Sequence, residues 1–229
     1  MRLDRYLSHV GCGTRTEVQK LVKQKRVSVD NVIVTTPNMH INNQVVKLDN
    51  YEVIYKEYYY FILNKPQGVI TATEDSQHKT VLDLLNIADQ NKKVAPIGRL
   101  DKDTEGLLIL TNDGKLSHNL TSPAKHVNKI YYAKIQGNLD KDAVEKFSLG
   151  IQLNDGTKYK SAKLEVISND EIYVTINEGK FHQVKKMVKA VGAEVIFLKR
   201  VKMGNLDLPE DLLCGEYREL TEDELDKLR

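Results

Sequence analysis

The chain has 229 residues, of which 41% are hydrophobic, and it carries a formal net charge of +2 at pH 7. This length allows one large domain, or a large domain beside a small one. Two distant cysteines make no disulfide framework, no apolar run approaches 18 residues, and the first residues lack the apolar core of a signal peptide. These features exclude a disulfide-stapled scaffold and a helical membrane protein, so we expect reduced thiols and a cytoplasmic location.

Positive charge is concentrated at the N-terminus. Residues 1–26 carry a net charge of +5, so the remaining residues together carry −3. A basic N-terminal segment on an otherwise mildly acidic chain indicates a surface that binds a polyanion. A small domain with a solvated Lys/Arg face would have the same composition. The seven cations are Arg2, Arg5, Arg15, Lys20, Lys23, Lys25 and Arg26.

The elements predicted for residues 1–48 form one small unit. Apolar residues at helical spacing predict a first helix before Gly11, and the sequence Thr14–Glu17 has the form of a capping box that opens a second helix. Two β-branched runs at 27–29 and 32–34 flank Asp30-Asn31, which predicts a hairpin.

The rest of the chain alternates short strands with short helices. We predict strands at residues 59–63, 107–110, 128–135, 163–167, 172–176 and 195–198, and helices at 80–85, 115–120, 140–147, 184–191 and after Thr221. The strands pair as hairpins more often than they alternate with long helices. This pattern favours an α+β domain with a mixed, largely antiparallel sheet.

The most informative stretch is residues 98–111, GRLDKDTEGLLILT, in which three acidic side chains precede a run typical of a buried strand. A calcium loop is excluded because its twelfth position would be Asn112 instead of Glu, and because no paired helices flank it. The acids are then either solvated turn residues or a catalytic carboxylate. Spacing alone does not say which of Asp101, Asp103 and Glu105 would act.

Three segments, residues 64–69 (NKPQGV), 98–110 (GRLDKDTEGLLIL) and 178–187 (EGKFHQVKKM), resemble the motifs of the RsuA-type pseudouridine synthases. The resemblance covers nearly the whole chain in the order of the family. It implies an S-four-like RNA-binding domain at residues 1–55 and a catalytic domain at 59–229. It further implies a monomeric enzyme without cofactor or metal that isomerises a uridine of ribosomal RNA, within an immature small-subunit particle. Because the chain ends soon after its last predicted helix, the 16S rRNA branch is favoured over the large-subunit branch.

The resemblance also implies roles for individual side chains. Asp101 would be the nucleophile, attacking either C6 of the base or C1′ of the sugar, and Lys185 would be its cationic partner. Tyr131, in the Lys-x-Tyr motif, would stack on the target base and relay a proton. Adjacent strand residues face opposite sides, so only one of Tyr131 and Tyr132 can face the site. Without the resemblance, Tyr131 is typical of a packing residue and Lys185 of a solvated helix face.

Six further residues are predicted to bind substrate: Arg99, Leu100, Lys65, Leu198, His182 and Gln183. Arg99 would fill space in the RNA stack or bind a phosphate, and Leu198 would form an apolar wall under the base. Lys65 would either contact the substrate or support the cleft.

Overall fold

A computed structural model describes residues 1–229, and its N-terminal part is a small α/β unit. Two helices, α1 (Leu3–His9) and α2 (Arg15–Lys23), precede four short strands: β1 (Val27–Val29), β2 (Val32–Ile33), β3 (Val46–Leu48) and β4 (Tyr51–Glu52). The strands form an antiparallel sheet in the order β2-β1-β3-β4, and eight buried hydrophobic residues give this unit its own core.

Two predictions for the small unit, the capping box at Thr14 and the hairpin turn at Asp30-Asn31, are confirmed. Thr14 accepts from the amide of Glu17 while the Glu17 carboxylate accepts from the amide of Thr14, which is the reciprocal capping box at the start of α2. Asp30 and Asn31 both have positive φ, at 49° and 65°, as the two central residues of a tight hairpin turn require.

The larger part of the chain is built on a sheet of nine strands. These are β5 (Tyr60–Lys65), β6 (Ala95–Pro96), β7 (Glu105–Thr111), β8 (Lys129–Gly137), β11 (Lys163–Val166), β12 (Glu171–Ile176), β13 (Ala193–Met203), β14 (Leu206–Asp207) and β15 (Tyr217–Glu219); a separate hairpin joins β9 (Ile151–Gln152) and β10 (Lys158–Tyr159). The main path runs β11-β12-β8-β13-β7-β5-β15, with β14 on β13 and β6 on β7. Only the β13–β7 pair is parallel, so the predicted mixed, largely antiparallel sheet is confirmed.

Short helices cover this sheet. They are α3 (Ile87–Asn91), α4 (Gly114–Thr121), α5 (Ala143–Leu149), α6 (Gln183–Lys189) and α7 (Glu222–Asp226), with 3-10 turns at Leu82–Leu84 and Pro123–Lys125. In β7, Leu108 and Leu110 join one core while Leu107 and Ile109 join a second core on the opposite face. This two-sided burial explains why the strand is a continuous apolar run rather than an alternating one. No helix of the structure has the length and apolarity needed to cross a membrane.

Most predicted elements differ from the structure by one or two residues at their ends, and three predictions differ by more. The helix predicted at 80–85 is only a 3-10 turn, because the amide and hydroxyl of Thr80 bind the Asp83 carboxylate and close a tight local loop. The helix predicted from residue 140 begins at Ala143. The strand predicted at 195–198 runs from Ala193 to Met203, since long-range pairing with β8 extends it through two register shifts.

The small unit packs directly against the large one. Gly11, with φ of +90°, lies so close to α3 that a Cβ atom there would be 2.4 Å from the carbonyl oxygen of Ala88. The His9 Nε2 atom lies 2.9 Å from the carbonyl oxygen of Lys56, and its ring stacks on Tyr55 with centroids 5.0 Å apart. The basic unit is therefore held against the domain that carries the motif at residues 98–111.

Candidate active site

Asp101 lies in a tight turn that enters β7. The amide of Thr104 donates to the Asp101 carbonyl oxygen at 3.1 Å, which closes the turn. The Asp101 side chain is 29% exposed and lines a cavity of about 60 Å³. Tyr131, Leu198 and Leu100 line the same cavity, so the structure brings together side chains from three distant parts of the chain.

Lys65 supports this turn from inside the protein. It is fully buried, and its Nζ atom donates to the carbonyl oxygens of Pro66, Asp101 and Thr104 at 3.0, 3.0 and 2.9 Å. The prediction that Lys65 binds substrate is therefore wrong, because its ammonium group is enclosed by backbone. Of the two roles considered, it has the supporting one. Loss of hydration on burial lowers the pKa of Lys65 to about 8, against the opposing effect of nearby carboxylates such as Asp103.

A second clamp holds the segment just before the turn. The Thr71 hydroxyl donates to the Leu100 carbonyl oxygen at 2.7 Å and accepts from the Leu100 amide at 3.1 Å. The amide of Gly68 donates to the Lys102 carbonyl oxygen at 2.8 Å. Sequence analysis did not single out Thr71, because nothing local in the sequence shows that it faces residues 98–104.

Lys185 reaches the acidic turn from α6. Its Nζ atom lies 3.5 Å from Asp101 Oδ2 and 2.5 Å from Asp103 Oδ1. Burial alone would raise the pKa of Asp103, but the hydrogen bond from Lys185 and its positive charge outweigh that effect and lower it. The predicted proximity of Lys185 to Asp101 is thus observed, while its shorter contact with Asp103 was missed.

The structure separates the two adjacent tyrosines as strand geometry requires. Tyr131 is buried and lines the cavity, in register with Val174 of β12. Tyr132 faces the other side of the sheet, where its hydroxyl donates to Glu171 and its ring packs against Phe197. Tyr131 is therefore the tyrosine of this pair that can contact a base in the cavity.

His182 and Gln183 lie at the N-terminal end of α6, and of the two only Gln183 is buried. His182 adopts a left-handed backbone conformation with φ of 54°, and its Nε2 atom lies 3.8 Å from Asp101 Oδ2. Gln183 is buried; its amide nitrogen donates to Glu178 at 2.8 Å and its amide oxygen accepts from the Lys180 backbone at 3.0 Å. Gln183 therefore forms part of the cavity wall with its side-chain polar atoms hydrogen-bonded inside the protein, and its binding of substrate stays a prediction.

Thr104 was missed and is the unexpected polar group of the cavity. It is 1% exposed and lines the cavity, yet its hydroxyl has no hydrogen-bond partner in the protein. A buried hydroxyl without a partner costs about 1–3 kcal/mol, so a partner supplied by substrate would recover that energy. Around it, Leu100 and Leu198 form apolar walls and Arg99 is exposed at the rim.

All seven predicted RNA-binding cations of the small unit are exposed. Two of them are paired: Arg2 with Asp4 at 2.7 Å and Arg26 with Asp49 at 2.5 Å. The other five, Arg5, Arg15, Lys20, Lys23 and Lys25, make no ion pair in the structure. The small unit thus presents more unneutralised positive charge than negative charge along α2.

Comparison with known proteins agrees with the fold. Residues 59–190 match the RNA pseudouridylate synthase family, and residues 1–46 match the S4 domain. The chain belongs to the RNA pseudouridylate synthase family and carries an N-terminal S4 domain. It is accordingly an enzyme that isomerises uridine in RNA.

Individual relatives extend over nearly the full chain. The RNA pseudouridine synthase YtzG of Bacillus subtilis is 46% identical over 98% of this chain and 97% of its own length. The ribosomal small subunit pseudouridine synthase A of Yersinia pestis is 40% identical over 98% and 97%, and that of Escherichia coli K12 is 38% identical over 98% of both. A crystal structure of a pseudouridylate synthase superimposes with a TM-score of 0.71 at 34% identity, covering 100% of both chains.

Proposed function

We propose that this enzyme converts one uridine of small-subunit (16S) ribosomal RNA to pseudouridine, with Asp101 as its nucleophile. The observation that carries the proposal is the placement of the Asp101 carboxylate, with the Lys185 ammonium group 3.5 Å away, in the cavity that Tyr131 and Leu198 line. The choice of RNA rests on the two full-length relatives named for the small ribosomal subunit.

The reaction is an isomerisation, and the proposed roles account for each bond. The N1–C1′ glycosidic bond breaks, a C5–C1′ bond forms, and the proton at C5 is lost while N1 gains one. Asp101 attacks C6 of the base or C1′ of the sugar as a carboxylate, and the Lys185 ammonium group 3.5 Å away forms an ion pair with it. Tyr131 packs against the base and relays the proton that leaves C5, passing its own phenolic proton on as it takes up that one.

The remaining groups at the site position rather than react. Lys65 and Thr71 hold the backbone on either side of Asp101, so the carboxylate is oriented before substrate arrives. The cavity lies within the protein, so a target uridine must leave its stack to reach Asp101. That costs a few kcal/mol and favours unpaired or distorted sites.

The reaction and the substrate are tested together by a modification map. Immature small-subunit particles and unmodified 16S RNA are incubated with the protein, with Asp101→Asn, and with the control Asp223→Asn, an exposed carboxylate on α7. Pseudouridine is then located by chemical labelling and primer extension. One stop in 16S RNA, absent only with Asp101→Asn, is expected. A stop in large-subunit RNA would overturn the choice of RNA, and full activity of Asp101→Asn would overturn the nucleophile.

We further propose that α2 docks the enzyme on RNA phosphates, because Lys20 and Lys23 are exposed there without partners. Replacing both by Gln should reduce the slope of log K against log salt by about 1.4–1.8, at about 0.7–0.9 per lost phosphate contact. The control replaces Lys125 and Lys141, two exposed lysines of the large domain. Equal slopes for the two double variants would refute this docking surface.

Three organisational features complete the proposal. The domains are residues 1–55 and 59–229, supported by the separate core of the N-terminal unit and by the family match that begins at residue 59. The enzyme acts as a monomer in the cytoplasm on RNA within an assembling particle. Light scattering of the purified chain, alone and with the particle, tests the monomeric state.

A further inference from the structure

A second cleft opens beside the cavity that contains Asp101. It has a volume of about 370 Å³, compared with about 60 Å³ for the cavity itself. The two are continuous because they share six lining residues: Arg99, Leu100, Asp101, Gly179, Lys180 and His182. The cavity is the narrow end of a wider depression, and a polymer that inserts one base at Asp101 must pass through the cleft.

The wall of this cleft carries an exposed aromatic ring. Phe181 is 68% exposed, although a phenyl side chain gains free energy from burial. Its ring stacks on His182 with centroids 3.7 Å apart and an interplanar angle of 19°. Lys186 approaches the ring with its Nζ atom 5.4 Å from the centroid. The ring is therefore held in a defined orientation by protein contacts while most of its surface stays open to solvent.

The rest of the cleft combines apolar walls with positive charge. Ile70 and Ala72 line it together with Phe181, and Arg99, Lys102 and Lys180 supply cations. The carboxylate that lines it is Asp101, at the end where the cavity begins. Of these cations Lys180 is paired with Glu178 at 3.9 Å, whereas Arg99 and Lys102 make no ion pair. Aromatic and apolar surface beside such free cations is the combination that binds a single-stranded nucleotide, with the base on the ring and the phosphate on the cations.

We propose that this cleft holds the unpaired nucleotide next to the target uridine, with its base stacked on Phe181 and its phosphate against Arg99 and Lys102. The inference rests on the proposed function and deepens it by assigning a second base subsite. Every base has a π-face, so stacking selects an unpaired neighbour and not a particular base. The enzyme then requires two adjacent nucleotides to leave their stack, and a uridine flanked by a rigid helix is rejected.

Kinetics of three variants test the stacking role. Phe181→Leu keeps an apolar side chain without a ring, Phe181→Tyr keeps the ring, and Leu149→Ala removes a side chain that is 78% exposed at the end of α5. Phe181→Leu should raise KM about tenfold with kcat little changed, because the stack forms before reaction. Phe181→Tyr and Leu149→Ala should match the parent enzyme. The proposal is overturned if Phe181→Leu is unaffected, or if Phe181→Tyr is as impaired as Phe181→Leu.

Photocrosslinking provides a readout that does not depend on activity. Ribosomal RNA partly substituted with a photoreactive analogue of each base in turn (5-iodouridine, 5-iodocytidine, 8-azidoadenosine or 8-azidoguanosine) is bound to the full chain and irradiated, and the modified peptides are identified by mass spectrometry. An adduct at Phe181 is expected, retained in Leu149→Ala and lost in Phe181→Leu. Adducts elsewhere on the protein but none at residue 181 would overturn the subsite. Small-subunit and large-subunit RNA are tested in parallel. A wrong choice of RNA then appears as missing pseudouridine in one of them, and a wrong subsite as a missing Phe181 adduct in both.

Discussion

Replacing Lys65 by Met tests whether the turn that carries Asp101 is held from beneath. The substitution removes the donor to three backbone carbonyl oxygens, all within 3.0 Å of Nζ. Hydrogen bonds to a charged group contribute about 1.5–3 kcal/mol each, or roughly 5–9 kcal/mol for three. Burial of the charge opposes this, since a pKa lowered from 10.5 to about 8 corresponds to about 3 kcal/mol. We therefore expect a net loss of about 2–6 kcal/mol in the free energy of unfolding.

The same substitution should also impair catalysis. Displacing the Asp101 carboxylate by about 1 Å costs about 100-fold in rate, so kcat should fall by about that factor. Urea denaturation gives the stability change, and single-turnover formation of pseudouridine gives the rate. Lys125→Met, at an exposed position, is the control. If Lys65→Met retained the midpoint and rate of that control, the supporting role of Lys65 would be refuted.

Ionisation of Lys65 makes a related prediction about pH. Its pKa is about 8 in the folded chain, compared with 10.5 for an unperturbed lysine side chain, so the unfolded chain binds more protons between pH 8 and 10.5. The contribution of this group to stability therefore rises with pH across that window. Above about pH 8 the neutral amine of Lys65 keeps only two of its three N–H donors. The support for the turn that carries Asp101 then weakens, so kcat should fall above about pH 8.

Burial also lowers the pKa of Lys129 to about 8. A falling limb that disappears in Lys129→Met would assign it to that residue and contradict the prediction.

Three further substitutions probe separate contacts. Lys185→Met should lower kcat at least tenfold, since Asp101 loses the cation 3.5 Å away; a kcat equal to that of the parent enzyme would count against the pair. Thr104→Val should lower kcat/KM about tenfold and Thr104→Ser should retain it, because the hydroxyl without a protein partner would bind substrate. Equal losses in both variants would show that Thr104 acts by packing and not by hydrogen bonding. Gly106→Ala should reduce the free energy of unfolding by more than about 3 kcal/mol. The added Cβ would lie 2.2 Å from the Arg200 carbonyl oxygen, and φ at this position is +105°. A melting temperature near that of the parent chain would refute the close approach of β7 and β13.

Much of the fold was predictable where the deciding interactions are local. The capping boxes at Thr14 and Thr221 join residues three positions apart, and both are present. The hairpin at Asp30-Asn31 depends on two residues that tolerate positive φ. The apolar run of β7 predicted a buried strand because both of its faces are covered. The family and its fold were predictable from three motifs whose residues are contiguous.

The site was predictable in part. Asp101, Tyr131 and Lys185 were singled out by resemblance, and the structure places all three around one acidic turn, while their chemical roles stay predictions until the variants are measured. Lys65 was misassigned because a lysine after a strand is ordinarily exposed. Its burial here depends on carbonyl groups about 40 residues further along the chain.

The sequence by itself thus determined most of the longer elements, the family and the candidate nucleophile, since these follow from periodicity, capping and short motifs. The tertiary structure alone decided which groups meet. The parallel pairing of β7 with β13 places Glu105 opposite Lys199, and that register sets where Asp101 lies relative to Leu198 and Tyr131. The contact of Lys185 with Asp103 joins residues 82 positions apart. Such distances depend on how strands from separate parts of the chain align, and no local pattern specifies that alignment.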